Sequence, residues 1–140
     1  MIDNLRKTIM YHLNQLKMFY SSVSVGYKVA SDQKMYPHIV FDIDPITPTD
    51  MGRYDFHVDF HVWDKSKDAS NVFALMEWLD VHLRFHTEQR NGILPTFYTI
   101  SLGIVDDPDK TLIHGVVRMQ CQVYEVSITD DTILEPVFGT

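Results

Sequence analysis

Basic residues are scarce in this chain: 12 Lys and Arg stand against 19 Asp and Glu in 140 residues, a net charge of −7 with a pI near 5.3. Nucleic-acid backbones are held by clustered Lys and Arg that displace counterions, so this balance excludes DNA as an affinity partner. Cysteine is nearly absent too. The single Cys121 rules out a disulfide framework within the chain and fits a reducing cytoplasm. No apolar run approaches membrane-spanning length, and the N-terminal stretch is an amphipathic polar helix without the apolar core of a signal peptide. The expectation is a soluble protein that is neither exported nor membrane-bound. The catalytic signatures are missing as well: there is no G-x-S-x-G, no P-loop and no G-x-G-x-x-G. Cys121 sits in an apolar row with no positive neighbour to activate it. We therefore expect no enzyme and no cofactor.

What the chain has is 45% hydrophobic residues in one domain's worth of length. It is organised around residues 54–86, YDFHVDFHVWDKSKDASNVFALMEWLDVHLRFH, where the hydrophobic period changes from two to about 3.6. Tyr54, Phe56, Val58, Phe60 and Val62 point one way along a strand, and Asp55, His57, Asp59, His61 and Trp63 point the other. After the polar break DKSKDAS, with Ser66, Asp68 or Ser70 as N-cap, residues Val72, Phe73, Met76, Leu79, Leu83 and His86 recur at helical spacing. A helix of about 20 residues would span roughly 30 Å, a length that matches a ten-residue strand at about 3.3 Å per residue.

The flanking segments read in the same way. Ile2, Leu5, Ile9, Leu13, Leu16 and Tyr20 predict an amphipathic helix over residues 2–21, with Asn4, Lys7, Tyr11, Asn14 and Lys17 on its polar face. SVSVGYKVA is a candidate short strand, and Pro37 introduces a second strand, HIVFDID. PITPTDMGR, residues 45–53, then forms a long hairpin loop. Past the central helix, Asn91 or Gly92 is expected as the left-handed C-cap, with Pro95 as the stop. FYTISLGIV is expected to carry Tyr98, Ile100, Leu102 and Ile104 on one side, and to form a hairpin with LIHGVVRMQCQVYEV, whose Val117, Met119, Cys121 and Val123 face inward. The prediction is a single α+β domain over residues 1–126, an antiparallel sheet of four to five strands with two main helices on one face, followed by an arm over residues 127–140.

Three constellations invite a chemical reading. Asp55, His57, Asp59 and His61 form a ladder, but His57 and His61 lie about 13 Å apart along a strand, so at most adjacent members share an ion. A small metal-dependent enzyme using His57, Asp59 and His61, joined by His114, is the competing reading; the polar face of an amphipathic strand is the preferred one. His82 and His86 have metal-competent helical spacing, yet Leu83 follows His82 where HExxH needs its Glu. Asp106, Asp107 and Asp109 lack the further oxygen ligands of a calcium loop. No metal site is expected.

The succession YPHIVFDI, a Pro-rich loop, FHVDFHVWD, a polar break and NVFALMEWLDVHLR resembles the tail-completion, or tail-terminator, proteins of long-tailed phages and prophages. In that family a proline-preceded strand leads into a strand patterned aromatic, x, Val, x, aromatic, x, Val, Trp, and then into a helix. The resemblance spans about residues 2–126 and is best from Tyr36 to His86. It implies a structural virion protein at the head-proximal end of the tail. There it would assemble as a ring, commonly of six, on the major tail tube protein and meet a head connector or stopper, with DNA passing through the lumen unbound. A different neck or head-completion component is the nearest alternative. The free subunit is expected to be monomeric or weakly associated. The segments expected at contacts are the loop, through Ile46, Met51 and Arg53; the outward row, through His57, His61 and Trp63; and the arm, through Leu134 and Phe138.

Overall fold

The computed structural model describes residues 1–20, 22–28, 36–46 and 52–126. Along the chain these form α1 (Ile2–Leu16), β1 (Ser24–Tyr27), β2 (His38–Pro45), β3 (Arg53–Lys65), α2 (Ala69–Leu83), β4 (Ile93–Val105) and β5 (Leu112–Glu125), with one 3-10 turn at Ser66–Asp68. The strands lie in the order β1-β2-β3-β5-β4. The stretch singled out by its change of period therefore supplies the middle strand and the helix that covers it.

Alternation places one face of every long strand under the helices. Rows run across the sheet: Ile39 opposite Val62 and Gly115, Phe41 opposite Phe60 and Val117, Ile43 opposite Val58 and Met119. All but Gly115 are buried core residues, and α2 lays Val72, Leu75, Met76, Leu79 and Leu83 on the same layer. Helix α1 adds Leu5, Ile9, Leu13 and Leu16, spaced four, four and three residues apart, so that one stripe of its surface is dry. Burying each such side chain contributes about 1.5–3 kcal/mol against leaving it in water. Asp64 continues the inward row of β3 and is buried, yet both its oxygens are used. They accept from the Lys65 backbone N–H at 2.7 Å and from the Asn71 side chain at 3.0 Å, which fixes the approach to α2.

The α+β class, the single core and the two helices on one face agree with the sequence reading; several local features differ. The sheet is mixed, because β1 pairs parallel with β2 while all other pairs are antiparallel. Helix α1 ends at Leu16, and α2 ends at Leu83 instead of running on through His86. The reason for the second stop is competition from the sheet. Arg84 turns extended, Phe85 takes φ +60°, and the Phe85 N–H donates to the Phe97 carbonyl at 2.8 Å. Asn91 and Gly92 do have positive φ, 55° and 76°, but as the two central residues of a tight turn closed by reciprocal Arg90–Ile93 backbone bonds. Asn-Gly is the favoured pair for such a hairpin turn, so it opens β4 four residues earlier than the alternation suggested. Asp68 occupies the α2 N-cap position without a side-chain capping bond.

A bulge changes β4 in its middle. Thr99 faces Met119 and Ser101 faces Arg118, which leaves Ile100 as the extra residue. Tyr98 therefore lies on the outer face with Gln120, whereas Leu102 and Ile104 lie on the helix side with Val117 and Gly115. The expected single apolar row is in fact split between two faces.

Candidate functional site

The outward face of the sheet carries the ladder that suggested a metal, and its members have separate partners. His57 is exposed, between Asp44 on β2 and Gln120 on β5. Asp59 pairs with Arg118 on the neighbouring strand at 3.0 Å. His61 places Nδ1 2.9 Å from Nε2 of His114, and Trp63 donates its indole N–H to Asp107 at 3.0 Å. The Trp63 ring stacks between His114 and His38, with centroids at 4.3 and 4.8 Å. Burial, and then the neighbouring His61, push the His114 pKa below its ordinary value against the pull of Asp107. His57, Asp59 and His61 do not converge on one point, and among the described residues they form no metal-capable group.

The remaining expected contact residues divide into two sets. Arg53 donates to Asp55 at 3.2 Å, and the Ile46 backbone N–H extends the β2–β3 ladder by donating to the Asp55 carbonyl at 2.8 Å. Both are partly covered. Met51, Leu134 and Phe138 lie outside the described residues. Trp78 is half-buried, stacks on His82 at 4.3 Å, and borders a shallow groove with Tyr20, Glu77 and Val81.

The second half of β4 was not anticipated as a surface feature. Strand β4 lies at the edge of the sheet, and past the bulge Ile100, Leu102, Ile104 and Val105 are 50%, 50%, 45% and 41% exposed. Apolar side chains thus stand on both faces of a strand whose outer backbone edge, past the Thr87–Thr96 and Arg84–Phe97 bridges at its start, pairs with no other described strand. Such an edge is a template for strand addition unless something covers it. The alternation of FYTISLGIV was visible in the sequence, but the place of β4 at the edge of the sheet was not.

A third cluster lies under α1. His12 is buried, with ring centroids 5.4 Å from His82 and 5.2 Å from His86, and those two are 5.7 Å apart. His12 Nδ1 lies 3.3 Å from His82 Nε2, and His86 Nε2 lies 3.1 Å from Glu88 Oε2. Glu88 Oε1 accepts from Arg90 at 2.6 Å, and the Arg90 guanidinium lies 3.5 Å over the Tyr11 ring. Burial, reinforced by the two neighbouring imidazoles, lowers the His12 pKa to about 4. Arg90 and His86 hold the Glu88 carboxyl below its usual range. The helical spacing of His82 and His86 was legible; His12, ten residues into a different helix, was not. Cys121 is buried and its thiol is pushed far up by desolvation, so it is no nucleophile.

No protein-family model matches this chain, and no curated protein is similar to it. Solved structures do match. One superimposes with a TM-score of 0.71 over 91% of this chain and 98% of its own, at 13% identity. At that identity the likeness is one of fold: the whole α+β architecture recurs, nearly end to end, in another protein.

Proposed function

We propose that this chain is a tail-completion subunit, a structural virion protein that closes the head-proximal end of a phage tail tube as a ring and presents the joining surface to the head connector. The observation that carries this reading beyond the sequence resemblance is the open edge of β4, with Ile100, Leu102, Ile104 and Val105 uncovered. A ring needs two unlike lateral surfaces on each subunit, because its contacts run head to tail. This sheet has two unlike edges: a short parallel strand, β1, and a long antiparallel one, β4. The ring reading pairs the β4 edge of each subunit with the opposite flank of the next. That contact would remove the exposed edge that a monomer otherwise has to tolerate.

Charge supports the same role. Six copies, each at −7, would surround the lumen with a field that repels a phosphate backbone, so DNA slides through without being held. The outward row of β3, the loop of residues 45–53 and the arm of residues 127–140 are assigned to contacts with the tail tube, the neighbouring subunits and the neck. A phage in which this gene is deleted should assemble filled heads and tails that fail to join, or tails of uncontrolled length, and supplying the chain in trans should restore particles. Normal joined particles from the deletion would remove this function. Heads that leak DNA beside tails of normal length, joined by added connector, would move the chain to the head side of the neck.

A further inference from the structure

The cluster beneath α1 has a composition that ion pairing alone does not call for. Three imidazoles and a carboxylate come together from three places in the chain: His12 from the C-terminal half of α1, His82 from the last turn of α2, and His86 and Glu88 from the segment beyond it. One ligand atom from each of His12, His86 and Glu88 lies within 4.8 Å of the others. Ligands on a tetrahedral ion with bonds near 2.1 Å stand roughly 3.4 Å apart, so movements of about 1 Å would bring the three into a coordination sphere. We infer that His12, His86 and Glu88 bind a single divalent transition-metal ion of the zinc class, with His82 positioning His12.

The donor set selects the ion. Imidazole nitrogens with one carboxylate oxygen suit zinc, cobalt or nickel, whereas magnesium and calcium require oxygen ligands throughout. The surroundings resemble those of a metal centre as well. Ligating carboxylates and imidazoles are normally held by outer partners, and both kinds are present. Arg90 grips Glu88 through Oε1 and leaves Oε2 facing His86. His82 Nε2 sits beside His12 Nδ1, where it can set the tautomer of that ring. A cation would take the place of the hydrogen now shared between His86 Nε2 and Glu88 Oε2.

The ion would fasten α1 to the segment that leads into β4. That junction is otherwise bridged on its polar side by the Asn91–Thr8 hydrogen bond and by Arg90 over Tyr11. The early end of α2 is what makes the site: with Arg84 and Phe85 out of helical geometry, the chain folds back and brings Glu88 beside His86. The site lies at the start of β4, at the other end of that strand from the apolar edge, and does not depend on the ring reading.

The test uses the untagged chain, stripped with a chelator and titrated with zinc by calorimetry. One zinc per chain should bind, the melting temperature should rise with zinc, and magnesium should do neither. Cobalt in place of zinc should give the visible absorption of a four-coordinate site made of the three side chains and one water. His86→Gln and Glu88→Gln alter residues more than one third exposed, so the fold should survive by circular dichroism while zinc affinity falls by at least about tenfold. His57→Gln and His61→Gln should bind zinc like the wild type. Absence of saturable binding with zinc in large excess would overturn the assignment. So would binding that survives both His86→Gln and Glu88→Gln, or that is lost equally in His57→Gln.

Discussion

Gly115 on β5 lies directly beneath Val72 of α2, and a β-carbon built on it would come 2.9 Å from Val72 Cγ1, with the Met76 side chain closer still. The absence of a side chain is what lets α2 settle onto the sheet at the level of the Ile39–Val62 row. Gly115→Ala should cost about 1–3 kcal/mol through overpacking, read from urea unfolding of the purified chain. Measured in a Met76→Ala background, Gly115→Ala should cost less than it does in the wild type, since the two sites share one contact. An unchanged midpoint for Gly115→Ala would show that α2 sits more loosely than described.

Leu102→Lys with Ile104→Lys tests the edge of β4. Both side chains are about half exposed, so the monomer should fold with a melting temperature near that of the wild type. Charged residues on an edge strand oppose strand addition. Rings on tails should therefore be lost, which electron microscopy of assembled tails would read. Normal rings from this variant would remove the β4 edge from the lateral contact.

How much of this was legible follows from which signals are local. Alternation in β3, the spacing of Leu5, Ile9, Leu13 and Leu16, and the inward row of β5 each depend on a single element, and each appears in the structure as read. The end of α2 was misread because the Phe85 N–H is captured by Phe97, twelve residues further along and on another element. Asn91-Gly92 fits a helix C-cap and a hairpin turn equally well in sequence, and only the pairing of Arg90 with Ile93 decides between them. The bulge at Ile100 has no sequence signature in this chain. The imidazole cluster needs the docking of α1 against the segment after α2, a relationship that no spacing rule contains.

Acid should weaken the metal-free fold through His12. Its pKa is about 4 when folded, against an ordinary 6.5, so between those values the unfolded chain binds a proton that the folded chain refuses. Stability is therefore full above pH 6.5 and falls as pH drops toward 4, by up to about 3 kcal/mol in all. Among the described residues, the charged or titratable groups around the ring are Tyr11, His82, His86, Glu88 and Arg90. Urea midpoints with a chelator present should decline over that window, and His12→Gln should flatten the decline. A profile that is level from pH 7 to 5 in the wild type would contradict the burial of a neutral imidazole there.

His57→Gln combined with His61→Gln addresses the outer row. His57 is exposed and His61, on the same outer face, lies against His114 and the Trp63 ring and not in the core, so the fold should persist. Attachment to tails should weaken, measured as fewer capped tails at equal subunit concentration. A hydrolytic or other activity that is present in the wild type and absent from this variant would instead favour the enzyme reading.

The central claim is a location. Cryo-electron microscopy of particles carrying this chain should place it as a closed ring between the last tail-tube ring and the head connector, with the β4 edge of each copy buried against its neighbour. Density for the chain inside the head, along the tail shaft or absent from the particle would contradict the account.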